Sequence, residues 1–232
     1  MPRPEAVLLD VGGVLLLPDH DRLLAALGRA GFSPPVELLD RAHYAGAARL
    51  DTGTVDGEWP HYWHHYIDAF LTACAVPDEL REAAHEHLGS EHATQGLWTR
   101  VAPGSPDGLR ALVATGVRLG IVSNSDGTVE QQLRAFEIAQ TGPGAGIEVE
   151  VVVDSSVAGV AKPDPRIFAI ALAAMGIAPE GAWYVGDTPA FDVDGAHNAG
   201  LHPLLLDPFR LHLDDGRDRV DSLAEVAARI QV

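Results

Sequence analysis

From Gly104 onward the chain alternates apolar segments of strand length with segments of helical period, and this alternation limits the possible folds more than any other feature. The pattern predicts a helix to Ala114, a strand at Arg118–Ser123, a helix at Thr128–Phe136 and a strand at Ile147–Asp154. A helix at Pro165–Met175, strands at Trp183–Gly186 and Pro203–Leu206, and a last helix at Ser222–Ile230 complete it. Strands separated by helices read as a parallel sheet, because each crossover helix brings the chain back to the same edge. The first strand is expected at Ala6–Val11, so the sheet begins before a long intervening span and resumes after it. That span, from about Leu17 to Leu97, has helix-like periodicity and no convincing strand. It is expected to form about four helices and a second domain. No internal repeat or low-complexity tract interrupts the chain, and Gly142–Gly146 reads as a loop.

Within the span, a helix from about Trp59 to Cys74 places Trp59, Tyr62, Trp63, Tyr66, Ile67, Phe70 and Leu71 on one face, which reads as core. With 232 residues and a 47% hydrophobic share, the chain can bury such a core in both domains. A net charge of -17, from 33 acidic and 16 basic residues, disfavours a polyanion, so no nucleic-acid partner is expected. The single cysteine, Cys74, cannot form an internal disulfide. The N-terminal residues lack the features of a signal peptide, and the apolar runs Val14–Leu17 and Val149–Val153 fall far short of the roughly 20 residues of a membrane helix. A reducing cytoplasm and no membrane partner are the expectation; oligomeric state leaves no mark on the sequence.

The polar residues gather where such a sheet opens. Asp10 ends the first strand and is followed by Gly12 and Gly13, whose backbone can turn tightly and offer amides to an anion. Ser123 and Asn124 end the next, Lys162 follows the strand ending near Asp154, and Asp187 follows Gly186, with Asp192 beyond. Parallel strands share a carboxyl edge, where ligands usually sit. Three clustered carboxylates raise one another's pKa unless a cation holds them, and all-oxygen ligation points to magnesium. A carboxylate is ionised at neutral pH and needs no base to act as a nucleophile.

These four stations, in this order, resemble the haloacid dehalogenase-like superfamily. The nucleophile motif corresponds to Asp10-Val11-Gly12-Gly13-Val14, the hydroxyl to Ser123 in Ile121-Val122-Ser123-Asn124-Ser125, and the lysine to Lys162 in Gly159-Val160-Ala161-Lys162-Pro163-Asp164-Pro165. The acidic motif is similar to Gly186-Asp187-Thr188-Pro189-Ala190-Phe191-Asp192. The resemblance implies an α/β fold, with a Rossmann-like doubly wound parallel core formed by residues 1–16 and 98–232 and a small all-helical cap at 17–97. Gly53–Trp59 resembles the loop that such caps lower over the site. It further implies a magnesium-dependent phosphatase acting on a small phosphorylated metabolite through an aspartyl phosphate. Asp10 and Lys162 would be catalytic; Ser123, Asn124, Gly12 and Gly13 would bind phosphate; Asp10, Gly12 through its carbonyl, Asp187 and Asp192 would hold the metal. Asp126 and Asp194 lie nearby and read as structural.

One position departs from that pattern. Phosphatases of the superfamily usually carry a second aspartate two residues past the nucleophile, and here that residue is Gly12. The loss removes general acid/base catalysis, worth about 10²–10⁴ in rate. A leaving group that needs no proton, a substitute acid from the cap, or a binding module without turnover would each accommodate it; so would dehalogenation, in which halide leaves unprotonated. His61, His64 and His65 lie opposite the aromatic stripe with Asp68, and His43 sits on the preceding helix; an imidazole could shuttle the proton, although a solvated helix face explains the cluster as simply. His61 and His65 have i, i+4 metal-ligand spacing, and His20 and Asp19 follow the first loop.

Overall fold

A computed structural model of the chain describes residues 3–51, 59–212 and 216–231. Along the chain run β1 (Ala6–Leu9), β2 (Leu16–Pro18), α1 (His20–Arg29), α2 (Glu37–Ala48), α3 (Trp59–Ala73), α4 (Arg81–Gln95) and β3 (Trp98–Val101). There follow α5 (Ser105–Ala114), β4 (Arg118–Ser123), α6 (Val129–Ala135), β5 (Ala139–Thr141), β6 (Ile147–Val149), β7 (Val151–Asp154), α7 (Ser155–Ala158) and α8 (Pro165–Met175). The last elements are β8 (Ala182–Gly186), a π-helical turn at Pro189–Asp194, α9 (Gly195–Asn198), β9 (His202–Leu206), β10 (Arg219–Val220) and α10 (Leu223–Ile230). They form two compact units, one of residues up to Leu15 together with those from Ala102, the other Leu16–Val101.

The first unit is built on a six-stranded sheet in the order β10-β9-β8-β1-β4-β7, parallel throughout. Strand β1 lies at the centre: Leu9 is in register with Ile121 of β4 on one side and Val185 of β8 on the other. All four β1 residues are buried, as expected of a parallel strand covered on both faces. On one face α8 lays Ile167, Phe168, Ala171, Leu172 and Met175 over Leu8, Val122, Val153 and Tyr184. Helix α8 starts where the sequence places it, because the Asp164 side chain caps the amide of Arg166 at 2.9 Å and Pro165 occupies the first turn.

The expected strand at Ile147–Asp154 is two strands. Residues 147–149 pair with β5, a three-residue strand without a sequence signature, while Val151–Asp154 joins the main sheet beside β4. Glu150 marks the break, its amide bonded to the Leu119 carbonyl at 2.8 Å and its carboxylate taken by Arg118. A β-branched run of eight residues, Ile147–Asp154, has the same composition whether it serves one sheet or two.

The second unit carries α1 to α4, as the periodicity predicts, but it is not all helical. Strands β2 and β3 pair antiparallel, Leu16 with Val101 and Leu17 with Arg100. The partners of this ribbon are more than eighty residues apart, and such a pairing leaves no local pattern to read. In α3, Tyr66, Ile67, Phe70 and Leu71 are buried as expected, while Tyr62 and Trp63 are half-buried. The side chains of Trp59 and His61 and the segment 53–58 lie outside the described residues. No described helix is long and apolar enough to cross a membrane.

Leu8 is fully buried beneath α8. Leu8→Ala is expected to cost about 2–5 kcal/mol, the range for emptying a core leucine site. The loss is read as a lower urea midpoint with an unchanged denaturant slope.

Candidate active site

The register of the sheet assembles the polar residues. Asp10 directly follows β1, and its amide donates to the Val185 carbonyl at 2.9 Å, continuing the ladder one residue past the strand. Ser123 ends β4 and Asp187 follows β8, so these three residues stand side by side at the carboxyl edge of the three central strands. The order in which strands are added reverses at β1, with β4 and β7 on one side and β8, β9 and β10 on the other, and such a switch point is where a crevice opens at the carboxyl edge of a parallel sheet.

Two glycines let the carboxylates approach. Gly13 has a φ of +71°, and a Cβ placed on it would stand 2.1 Å from the Asp187 Oδ2. The Asp187 carboxylate thus occupies the space that any other residue at position 13 would fill. A Cβ on Gly186 would meet the Asp192 Cγ at 2.2 Å, so Gly186 makes room for Asp192 to fold back against β8. Asp10, Asp187 and Asp192 are all buried and offer oxygens within 4.8 Å of one another.

Lys162 is the cation of this cluster. Its Nζ lies 2.9 Å from the Asp10 Oδ1 and 2.7 Å from the Asp192 Oδ1, and it donates to the Tyr184 hydroxyl at 2.9 Å. Burial opposes a charge there, but the two carboxylates outweigh it and hold the ammonium above the usual lysine value. The backbone of Lys162 is fixed by Asn124, whose side-chain oxygen accepts its amide at 2.8 Å and whose Nδ2 donates to its carbonyl at 3.0 Å. Asn124 therefore spends its side chain on the lysine loop.

Asp192 is the most heavily bonded of the carboxylates. Its Oδ1 takes Lys162 and the Tyr184 hydroxyl at 3.0 Å, while its Oδ2 takes the Thr188 amide at 2.9 Å and the Thr188 hydroxyl at 2.5 Å. Four donors fill the acceptor positions of a carboxylate. Asp10 carries less support: burial first, then Asp192 and Asp187, push it up to about 7 against the opposing pull of Lys162.

Tyr184 escaped the sequence reading. It points from β8 toward α8, packs edge-on against Phe168 at 4.9 Å, and is wholly buried. Its hydroxyl also lies 3.0 Å from the Val122 carbonyl, and burial together with the nearby carboxylates keeps the phenol protonated. In sequence it is one apolar strand residue among others; only the register shows that it reaches Lys162. Asp154 was likewise missed: at the end of β7 it accepts the amides of Ser156 and Gly127, tying down the loop after Ser123.

The remaining candidates have local partners. Asp126 caps the turn through the Thr128 amide and hydroxyl, and Asp194 lies 3.7 Å from Arg217. In the other unit Asp19 caps α1, His20 bonds Asp40 at 2.8 Å, and His43 is a buried core residue whose Nδ1 meets the Tyr66 hydroxyl at 2.8 Å.

Comparison with known proteins agrees with this geometry. The model of the haloacid dehalogenase-like hydrolases matches residues 4–200. A phosphoserine phosphatase of Thermus thermophilus is 30% identical over 225 residues, covering 87% of this chain and 88% of that protein. Among solved structures, the putative HAD-hydrolase YfnB of Bacillus subtilis, bound to magnesium, covers 100% of both chains with a TM-score of 0.62 at 16% identity. A dehalogenase solved with an intermediate complex covers 99% of this chain and 98% of its own, with a TM-score of 0.59 at 20% identity. The four motifs, the parallel sheet that carries them and the family match lead to one statement: the chain belongs to the haloacid dehalogenase-like hydrolases.

Proposed function

We propose that this hydrolase is a magnesium-dependent phosphatase that passes the phosphoryl group of a small phosphorylated metabolite to Asp10 and then to water. The observation that carries the reading is the burial of three carboxylates around a single ammonium, with ligand oxygens within 4.8 Å of one another. Such a set carries more negative charge than Lys162 neutralises, and its donors are the hard oxygens that magnesium prefers. Asp10, Asp187 and the Gly12 carbonyl would hold the ion, which when bound neutralises the carboxylates and the phosphoryl oxygens. Asp192, which already accepts from Lys162, Tyr184 and both donors of Thr188, would hold Lys162 and serve the metal as an outer ligand. The unit inserted between Leu15 and Ala102 is read as the cap, and the phosphoserine phosphatase relative supports the reaction class.

In the first step an Asp10 oxygen forms a bond to phosphorus as the bond to the leaving oxygen breaks. The leaving oxygen keeps the electron pair and takes its proton from water, since Gly12 has none to give. Lys162, protonated throughout, faces the charge on Asp10 and on the transferring group, while the Ser123 hydroxyl and the amides of Gly13 and Asn124 donate to the other phosphoryl oxygens. Water then attacks phosphorus, the bond to Asp10 breaks, and phosphate leaves. Gly12 favours one other reading, hydrolytic dehalogenation, because halide needs no proton; that displacement gives the buried Asp187 no task.

The purified chain is expected to release phosphate from a panel of acyl and alkyl phosphates in magnesium, and to lose this activity in EDTA and in Asp10→Asn. Acyl phosphates should be favoured by roughly the 10²–10⁴ that general acid catalysis supplies. Phosphate release untouched by Asp10→Asn would overturn the reading, and metal-independent chloride release from chloroacetate would replace it. Tyr184→Phe is expected to lower kcat about tenfold, ~1.4 kcal/mol, with KM and the circular dichroism little changed, because Lys162 loses one of its three anchors. A third expectation concerns stability. Asp10 binds its proton more tightly in the folded chain, so its contribution is present below the unfolded value of 3.8 and is lost as pH rises through about 7. In chelator, Asp10→Asn should therefore melt several degrees above the parent at pH 8, with the gap closing as pH falls toward 4.

A further inference from the structure

We propose that His64, Asp68 and His85 form a binding site for a transition cation of the zinc type, built wholly within the Leu16–Val101 unit. His64 and Asp68 are four residues apart on α3 and share a face; His85 reaches the same carboxylate from α4. The His85 Nε2 lies 3.0 Å from the Asp68 Oδ1, and the His64 Nε2 lies 3.3 Å from the Asp68 Oδ2. The two imidazoles stack at 4.6 Å and 24°, each Nε2 directed at a separate oxygen of the Asp68 carboxylate. All three ligand atoms fall within 4.8 Å of one another.

These spacings are those of a chelate. With bonds of about 2.0–2.1 Å, neighbouring donors on a tetrahedral zinc ion stand about 3.3 Å apart, and each imidazole already stands at 3.0–3.3 Å from one oxygen of the Asp68 carboxylate. Chelation requires the two rings to turn out of their stack so that both nitrogens aim at one ion, a rotation open to the exposed His64. Two imidazoles and one carboxylate select zinc, cobalt or nickel over magnesium, so the ion differs in kind from the one proposed at Asp10. Arg81 on α4 is engaged elsewhere, donating to the Thr72 hydroxyl at 2.5 Å and lying 3.6 Å from Asp78, although its charge still acts on the Asp68 carboxylate. The His64 side chain is 63% exposed and that of Asp68 46%, so an ion enters from solvent and keeps water in its open position. Because α3 and α4 each supply a ligand, the bound ion pins one helix to the other and stabilises the folded state over the unfolded.

The test uses the full chain without a polyhistidine tag, in excess magnesium so that the carboxylate site is occupied. Cobalt is titrated and followed by its visible ligand-field bands, and zinc by calorimetry. One equivalent is expected, with a thermal midpoint several degrees higher in zinc. His64→Ala, His85→Ala and Asp68→Asn should each weaken binding at least tenfold, and the double histidine variant should lose both the cobalt bands and the zinc-dependent rise. Undiminished binding in the double variant overturns the proposal, as does the absence of saturable binding to the parent; the three residues are then a hydrogen-bonded cluster and nothing more. His64 is exposed and Asp68 and His85 are half-buried, so circular dichroism is used to show the variants folded, and a zinc response that survives in folded variants counts against the site.

Discussion

A buried ammonium between two buried carboxylates is the constraint around which the core of this protein is arranged. Lys162 is almost inaccessible to water, and an ion in that position is tolerable only if its charge is matched and its protons are all placed. Asp10, Asp192 and Tyr184 place them, and Asn124 fixes the loop from which the lysine reaches in. Each partner is itself held: Asp192 by Thr188, Tyr184 by Val122 and Phe168, Asp10 by the ladder of β1 with β8. The result is a network with little freedom to rearrange. Under the proposed function that rigidity would serve catalysis, because dipoles already aligned need no reorganisation during reaction.

Charge balance divides the three carboxylates into two kinds. Asp192 is saturated by donors and belongs to the scaffold of Lys162. Asp10 lies at the edge of the sheet with less compensation, and its upward displacement expresses how unfavourable that is without a cation. Space is managed with the same economy. The carboxylates could not converge if positions 13 and 186 carried side chains, so the two glycines serve as room for acids rather than as hinges. Gly12 differs from its neighbour, since Gly13 rather than Gly12 has the positive φ. What its missing side chain removes is a proton donor, which in the proposed reaction bears on the choice of leaving group.

Much of this architecture could be read from local pattern. Helix α8 and strand β4 begin and end where the sequence places them, because Asp164, Pro165 and a short apolar run bounded by polar residues are signals carried within the element itself. The convergence of Asp10, Ser123 and Asp187 also followed from pattern, since parallel strands share an edge whatever their order. The elements that resisted were those whose partners are remote. The β2–β3 ribbon joins residues more than eighty positions apart, and the run from Ile147 to Asp154 divides between two sheets for reasons of pairing that its composition does not contain.

By itself the sequence determined the class of fold, the succession of motifs and the residue types that meet at the sheet edge, because hydrophobic period and side-chain chemistry are properties of short segments. Tertiary structure alone decided how those residues divide their work. That Asp192 serves Lys162, that Asn124 clamps its backbone, that Tyr184 is its third anchor and that His85 joins His64 and Asp68 all depend on distances between elements. Such distances are set by strand register and helix packing, and no local pattern encodes them.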